Sequence, residues 1–519
     1  MKRIEKRLVT ILFMITLLIP STTAIPIPQQ IQPSNPLYIE DYDPNVDIQV
    51  TVEILHIRSL EKNDRQVRSD KRIDQYNDPD FYVNVFINNQ QFKSDVWRNT
   101  KYLYDLNWTA SADVPDDQEW INISIQLWDW NLGLDKKCDI NNLNEETFTD
   151  PKEATLYYSL KTGHWYGDDL VNNMDWWIDN SGYGRLNGCD DGSIYELNER
   201  DCELWFTIYQ TDPDGDQIPY WSEVNIYGTD PLFDDTGTDS DNDGIPIEWE
   251  HKWGHYFDWN WHDDIIDHAW LFSDMKWDNH TAYDFDTDGL NNKEEYLTAQ
   301  WDSDPYRKDV YVELDEMAPS PDGFESKLPE GAKELIKTAF NRRNIVWHLD
   351  DGCMGGYDII PYRSLVNNQI LNQDIYWNYF LHKDPDNWRQ GVFHYGTVVY
   401  CADFPGYCFR SNAWQISAYP LERNKTIPKT STKRDIVFGS AYMHECGHTF
   451  NFNPIGGHDT NSYWFHQLGW WKWRPYKSCM NYGYIYMMLD YSDGSRGKND
   501  FNDWSPDRLD LTYFQQGWD

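Results

Sequence analysis

The chain has 519 residues, with 44 Lys and Arg against 86 Asp and Glu, a formal net charge of -42 and a mean hydropathy of -0.76. So large an excess of acid repels nucleic acid and anionic membrane alike, and sets aside functions that depend on binding polyanions. The length suffices for about three domains, and 27 Trp and 35 Tyr supply core material despite an extensive polar surface.

Residues 1–24 read as a signal peptide: Lys2, Arg3, Lys6 and Arg7 lead, an apolar run from Leu8 to Ile19 follows, and Thr22, Thr23 and Ala24 offer small residues for cleavage. The run is shorter than the ~20 residues of a spanning helix, so a secreted, extracellular protein is expected. A Pro-rich linker, 25–45, comes next. Residues 46–210 hold the alternating, aromatic-rich runs VDIQVTVEILHI, DFYVNVFIN, WINISIQLWDWN and DCELWFTIYQ between polar turns, which predict an all-β sandwich. Within it, DPDFYVNVFINNQQFKS and QLWDWNLGLDKKCDI resemble the two segments that carry the calcium loops of C2 domains. That resemblance places Asp74, Asp80, Asp129, Asn131 and Asp135 at the acidic positions, and makes this domain the one route to membrane contact. Lys136 and Lys137 stand where the family carries acid, which weighs against calcium and for a purely structural sandwich.

Residues 211–306 contain an internal repeat. DPDGDQIPYWSE begins at Asp212, DSDNDGIPIEWE at Asp239 and DFDTDGLNNKEE at Asp284. Each has acids at loop positions 1, 3 and 5 and a glutamate at 12, the pattern that surrounds one Ca²⁺ with hard oxygen ligands. The predicted ligands are Asp212, Asp214, Asp216 and Glu223; Asp239, Asp241, Asp243 and Glu250; and Asp284, Asp286, Asp288 and Glu295. Gly244 and Gly289 fill position 6, where the loop turns sharply, whereas the first loop has Gln217 there. With the tails YGTDPLFDD and WDSDPYRKD, the segment is similar to thrombospondin type 3 calcium repeats, which implies two or three structural Ca²⁺ ions.

From residue 307 to 519 the pattern is α+β. KDVYVELDEM predicts a strand, PEGAKELIKTAFNRR an amphipathic helix, NIVWHLDDG a second strand parallel to the first, and VFHYGTVVYCADF another. An outer antiparallel strand within Phe393–Tyr400 is expected to hold an extended substrate. His348, Asp350 and Asp351 are read as solvated or hydrogen-bonded, and Asp490, Asp493, Asn499, Asp500 and Asp503 as a loop that binds Ca²⁺ or caps the domain. Eight cysteines in an exported chain predict disulfides, with Cys479 a conceivable partner for Cys446.

The sharpest motif is His444-Glu445-Cys446-Gly447-His448, which on a helix stacks two imidazoles over one face within reach of a single Zn²⁺. Glu445 then stands beside the metal as a base for water, while Cys446, roughly 200° round the helix from His444, faces away. Ser478-Cys479-Met480-Asn481-Tyr482 follows. Together the two motifs resemble the metzincin metallopeptidases, in which a methionine turn lies beneath the zinc. The resemblance implies that Met480 is the turn methionine and Tyr482 an oxyanion donor. Metzincins continue to a glycine and a third histidine, where this chain has Asn451 and Pro454. Asn451 can still adopt the left-handed turn, and the third ligand is expected from His458, with Asp459 and His466 as alternatives. The reading is a multidomain, secreted zinc endopeptidase acting on protein or peptide substrates, with Glu445 and Tyr482 as its catalytic residues. A non-catalytic calcium-binding adhesion or surface protein with a degenerate peptidase fold is the rival, supported by Asn451 and Pro454.

Overall fold

The computed structural model describes residues 41–61, 73, 77–141, 152–169, 184–189, 200–254, 256–257, 269–270, 280–423, 431–452 and 468–516. The chain divides into Met1–Asp41 and Tyr42–Asp519. Of the first part only Asp41 is described, so the signal peptide and most of the Pro-rich linker lie outside the described residues, as do Asp74, Pro454, His458, Asp459 and His466.

The first eleven strands, in chain order, are β1 (Gln49–Ser59), β2 (Phe81–Ile87), β3 (Gln90–Lys93), β4 (Tyr102–Leu103), β5 (Trp108–Asp113), β6 (Trp120–Asp129), β7 (Lys136–Lys137), β8 (Ala154–Ser159), β9 (Trp165–Gly167), β10 (Arg185–Asn187) and β11 (Cys202–Gln210). They form two antiparallel sheets. One is ordered β10-β11-β1-β4 with β5 also on β1, the other β3-β2-β6-β8-β9 with β7 on β6. The period-2 pattern explains the layering: in β6, Ile121, Ile123, Ile125 and Leu127 are buried, while the residues between them are not. In β1, Val50, Val52 and Ile54 point inward, a bulge between Ile54 and His56 shifts the phase, and Ile57 resumes the buried row. These side chains meet in one core, each fully buried one contributing about 1.5–3 kcal/mol.

The acidic repeats follow as three loops, each leading into a short helical turn at Tyr220–Ser222, Ile247–Trp253 and Asn292–Thr298. Between the second and third loops lies a small antiparallel pair, β12 (Tyr256–Phe257) and β13 (Ala269–Trp270).

The third region is a mixed sheet of β14 (Asp309–Met317), β15 (Val346–Asp350), β16 (Ile359–Ile360), β17 (Phe393–Val399), β18 (Gly406–Arg410) and β19 (Ala413–Ser417), ordered β15-β14-β17-β19-β18 with β16 on β14. β14 and β15 are parallel, as the intervening helix predicted. The expected substrate-holding edge within Phe393–Tyr400 is corrected. β17 occupies that stretch as a fully buried strand, parallel to β14 on one side and β19 on the other. The antiparallel edge is β18, which pairs with β19. Helices Glu330–Asn341 and Ser431–His448 cover one face over Val310, Val312, Leu314, Val398, Trp414 and Ile416. The segment Leu371–Phe380 covers the other over Tyr311 and Tyr395. With both faces covered, β14 is buried throughout, and its charged residues Glu313, Asp315 and Glu316 are buried with it.

All eight cysteines are free thiols, a second correction. Cys446 and Cys479 lie in the same core, where each packs as a small apolar side chain without a bridge. Among the described residues no helix is long and apolar enough to cross a membrane.

Candidate metal and catalytic site

The last turn of the helix Ser431–His448, His444 to His448, lies against the edge strand β18, where Glu445 meets Gly406. His444 and His448 stand one helical turn apart, ring centroids 5.3 Å from each other, and each can offer a ligand atom that lies with one of Glu445 inside 4.8 Å. His444 Nδ1 is 2.8 Å from the carbonyl of Cys479. A carbonyl only accepts, so Nδ1 carries the proton and Nε2 keeps its lone pair, the tautomer of a metal ligand oriented from behind. The donor chemistry therefore fits zinc. Cys446 lies on the opposite side of this turn and is buried in the core, as its position round the helix requires.

The turn Ser478–Tyr482 lies beneath the helix end. A methyl group at Gly447 would stand 2.5 Å from Met480 Sδ, so the missing side chain is what admits the methionine. Tyr482 stacks on His444, with centroids 5.5 Å apart and planes 25° apart, which keeps its ring beside the histidine pair. After His448 the helix stops. The amides of Asn451 and Phe452 bond to the carbonyls of His448 and Gly447, and Asn451 adopts φ +62°, the left-handed turn the sequence allowed. The structure thus brings together His444, Glu445, His448, Met480 and Tyr482, while the third-ligand alternatives fall outside the described residues.

The three acidic loops share one backbone shape. Position 4 (Gly215, Asn242, Thr287) and position 6 (Gln217, Gly244, Gly289) have positive φ in each, so Gln217 adopts the turn that glycine makes in the other two. The amide at position 6 donates to position 1 at 2.7 Å (Gln217 to Asp212), 2.9 Å (Gly244 to Asp239) and 3.0 Å (Gly289 to Asp284). The amide at position 7 donates to position 5 at 2.8 Å (Ile218 to Asp216), 2.8 Å (Ile245 to Asp243) and 2.7 Å (Leu290 to Asp288). These bonds use one oxygen of each acid at positions 1 and 5. Other oxygens are buried with no hydrogen-bond donor: Asp212 Oδ1, Asp214 Oδ1 and Oδ2, Asp216 Oδ2, Glu223 Oε2, Asp239 Oδ1, Asp243 Oδ2, Asp286 Oδ2 and Glu295 Oε1. Buried carboxylate oxygens without donors are costly unless a cation joins them, and all-oxygen sets suit calcium.

Electrostatics says the same. Burial, reinforced by neighbouring acids, pushes Asp216 up to about 7 and Glu223 up to about 8. Burial and then neighbouring acids also raise Asp286, Asp288 and Glu295 well above the usual carboxylate range. Each position-12 glutamate has one oxygen steadied from outside the loop: Glu223 by the Thr229 hydroxyl at 3.1 Å, Glu250 by His280 Nε2 at 2.9 Å and Glu295 by the Ser303 hydroxyl. Sequence reasoning missed His280, and also Asp235, which converges with Asp216 and Glu223. The tail YGTDPLFDD signalled Asp235, while nothing local to His280 marked it, since it lies 30 residues beyond Glu250.

Other acids singled out in the sequence are engaged internally. In the sandwich, Asp129 accepts from the Asp80 amide at 3.0 Å and from Asn131 Nδ2 at 2.7 Å, and Asp135 accepts from the Tyr82 hydroxyl at 2.9 Å. His348 Nε2 meets Asp309 Oδ1 at 2.7 Å, and Asp350 meets Arg389 Nη2 at 2.5 Å, so both are buried and hydrogen-bonded rather than solvated. In the C-terminal loop Arg496 pairs with Asp493 and Asp500, and Arg508 with Asp503, at 3.1, 3.7 and 3.2 Å, so the chain's own cations offset part of that cap's charge.

No family model matches the chain, and no curated protein does. Solved structures to which it is similar include C2 domains. One match, described as the structure of a C2 domain, has 13% identity over 31% of this chain and 97% of the other, with a TM-score of 0.18. A C2 domain protein from Ramazzottius varieornatus has 11% identity over 31% and 87%, with a TM-score of 0.19. Human GIVD cytosolic phospholipase A2 has 14% identity over 32% of this chain and 18% of its own, with a TM-score of 0.17.

Proposed function

We propose that residues 307–519 form a zinc-dependent endopeptidase of metzincin type, in a secreted chain stiffened by calcium at the acidic loops and carrying a C2-like sandwich. The observation that carries the reading is the His444 Nδ1 bond to the Cys479 carbonyl, which aims Nε2 toward the space shared with His448 and Glu445. His444 and His448 would hold the ion with a third ligand from His458, Asp459 or His466. Bound zinc supplies Lewis acidity, polarising the scissile carbonyl and making water a nucleophile near neutral pH.

The remaining work falls to side chains and backbone. Glu445 takes a proton from the attacking water at its carboxylate and returns it to the leaving amine. The Tyr482 hydroxyl donates to the carbonyl oxygen as negative charge develops there, a contribution of about 2.7–4 kcal/mol if it matches other oxyanion donors. Among the described residues β18 pairs only with β19, so its outer edge is available to an extended peptide. Calcium at the loops joins the donorless carboxylate oxygens and removes their mutual repulsion.

The test is metal content together with cleavage of an unfolded protein substrate. The parent should hold tightly bound zinc and cleave. Glu445→Gln should keep the zinc and lose cleavage by several orders of magnitude, because the amide fills the same space but takes no proton. A parent that holds calcium alone and cleaves nothing would favour the adhesion protein instead.

A further inference from the structure

The strand β18 passes over the candidate base. A methyl carbon placed on Gly406 would stand 2.2 Å from Glu445 Oε1, 2.8 Å from its carboxyl carbon and 3.0 Å from Cγ. The carboxyl group of Glu445 therefore rests against bare backbone at the start of the edge strand, and Glu445 is buried with only 7% of its surface exposed. Gly406 pairs with Ile416 of β19, which fixes the strand at this point.

We propose that Gly406 is a positioning residue for Glu445: its lack of a side chain sets where the carboxylate stands between the histidine pair and a peptide lying on β18. This rests on the peptidase reading and concerns a residue that reading does not use. The physical asymmetry makes the idea testable. The clashing atoms are the far end of a flexible side chain, so an alanine is accommodated by swinging the carboxylate, with little demand on the backbone. The fold tolerates that swing, whereas a base must stand within about 0.5 Å of its productive place. A displacement near 1 Å costs on the order of a hundredfold in rate.

The experiment uses the full zinc-loaded chain and Gly406→Ala. Expected results are unchanged zinc stoichiometry, a kcat at least tenfold lower, a KM within about threefold of the parent, and a shifted acidic limb of the pH–rate profile. Acetohydroxamate, whose acidic hydrogen faces a neighbouring carboxylate when it chelates a metal, should bind about tenfold more weakly, a readout independent of turnover. In a Glu445→Asp background, where the carboxylate is shorter by one methylene, the added methyl should cost less than threefold. Parent-like kcat, pH profile and hydroxamate affinity in Gly406→Ala would overturn the proposal. So would equal losses in the glutamate and aspartate backgrounds, or loss of zinc, which indicate a general distortion. If the parent cleaves nothing but the hydroxamate effect persists, the peptidase reading fails and the placement of Glu445 by Gly406 stands.

Discussion

Asp315 accepts hydrogen bonds from the Tyr395 hydroxyl at 2.6 Å and the Asp358 amide at 2.5 Å, on a strand buried from end to end. Burial is the largest influence on its carboxyl and raises it to about 7. An acid whose folded pKa lies above its unfolded value holds its proton more tightly when folded. Its contribution to stability is whole below the unfolded value of ~3.9 and is lost as pH rises through about 7. Asp315→Asn keeps the shape without the titration, so the parent's urea midpoint minus the variant's should fall between pH 5 and pH 8. A difference that stays level over that window would remove Asp315 as the cause. The sequence showed where acid stands but not that it is buried here: DVYVELDEM alternates like a half-exposed strand, and the segment Leu371–Phe380, Asp358 and Arg389, all remote in sequence, close the second face. The Cys479 carbonyl behind His444 was equally invisible, because a backbone acceptor has no residue-type signature. Asn451 was legible, since asparagine is among the few residues that enter the left-handed region at low cost.

At the scale of elements, the three loops have the same internal bonds but different neighbours. In the third, Asp288 Oδ2 accepts from the Asp309 amide at 2.6 Å, and Asp309 begins β14. Lys308 Nζ also reaches the Asp286 carbonyl. In the first loop, Asp212 and Asp216 accept from the Gln217 and Ile218 amides of the loop itself. Chelation should therefore lower the melting temperature, and calcium should restore it, with stabilisation growing as RT ln(1 + [L]/Kd), about 2.7 kcal/mol at a hundredfold excess. Asp288→Ala should cut the melting temperature of residues 307–519, followed by near-ultraviolet dichroism, more than Asp214→Ala does. Equal effects would show that the third loop is no more tightly linked to the sheet than the first. The loops were the most legible elements, because carboxylates at fixed spacing and a turn-former at position 6 express the geometry directly. The location of the edge strand was not, since an apolar run does not reveal which of its neighbours will flank it.

Across the molecule, the sandwich is joined to the C-terminal region by buried polar contacts. Arg307 is paired with Glu203 of β11, with the two side chains 0% and 2% exposed. Although burial works the other way, Arg307 and Arg58 hold the Glu203 carboxyl below the usual carboxylate range. Asn341 also donates to Glu203, Asn187 donates to the Asn341 carbonyl at 2.7 Å, and Arg342 donates to the Leu60 carbonyl at 2.6 Å. Glu203→Ala leaves a guanidinium buried without its partner, a loss of about 3–5 kcal/mol. Denaturant unfolding should show it as a lower midpoint, together with separate transitions for the two regions. A single transition at the parent's midpoint would mean that the pair contributes nothing to their union.

The Gln515 side chain donates to the carbonyl of Gly289, the turn residue of the third loop, and to the Gly391 carbonyl at 3.0 Å. The first of these partners precedes Gln515 by 226 positions. A ribosome adding about 5–20 residues each second needs some 11–45 s to cover that interval. During it the sandwich, whose first and last strands in sequence, β1 and β11, are already made, can close, while the third loop waits for the residues that lock it. Assembly of this chain is thus timed by its own synthesis, and the third loop is locked only after the strands of the sandwich are made.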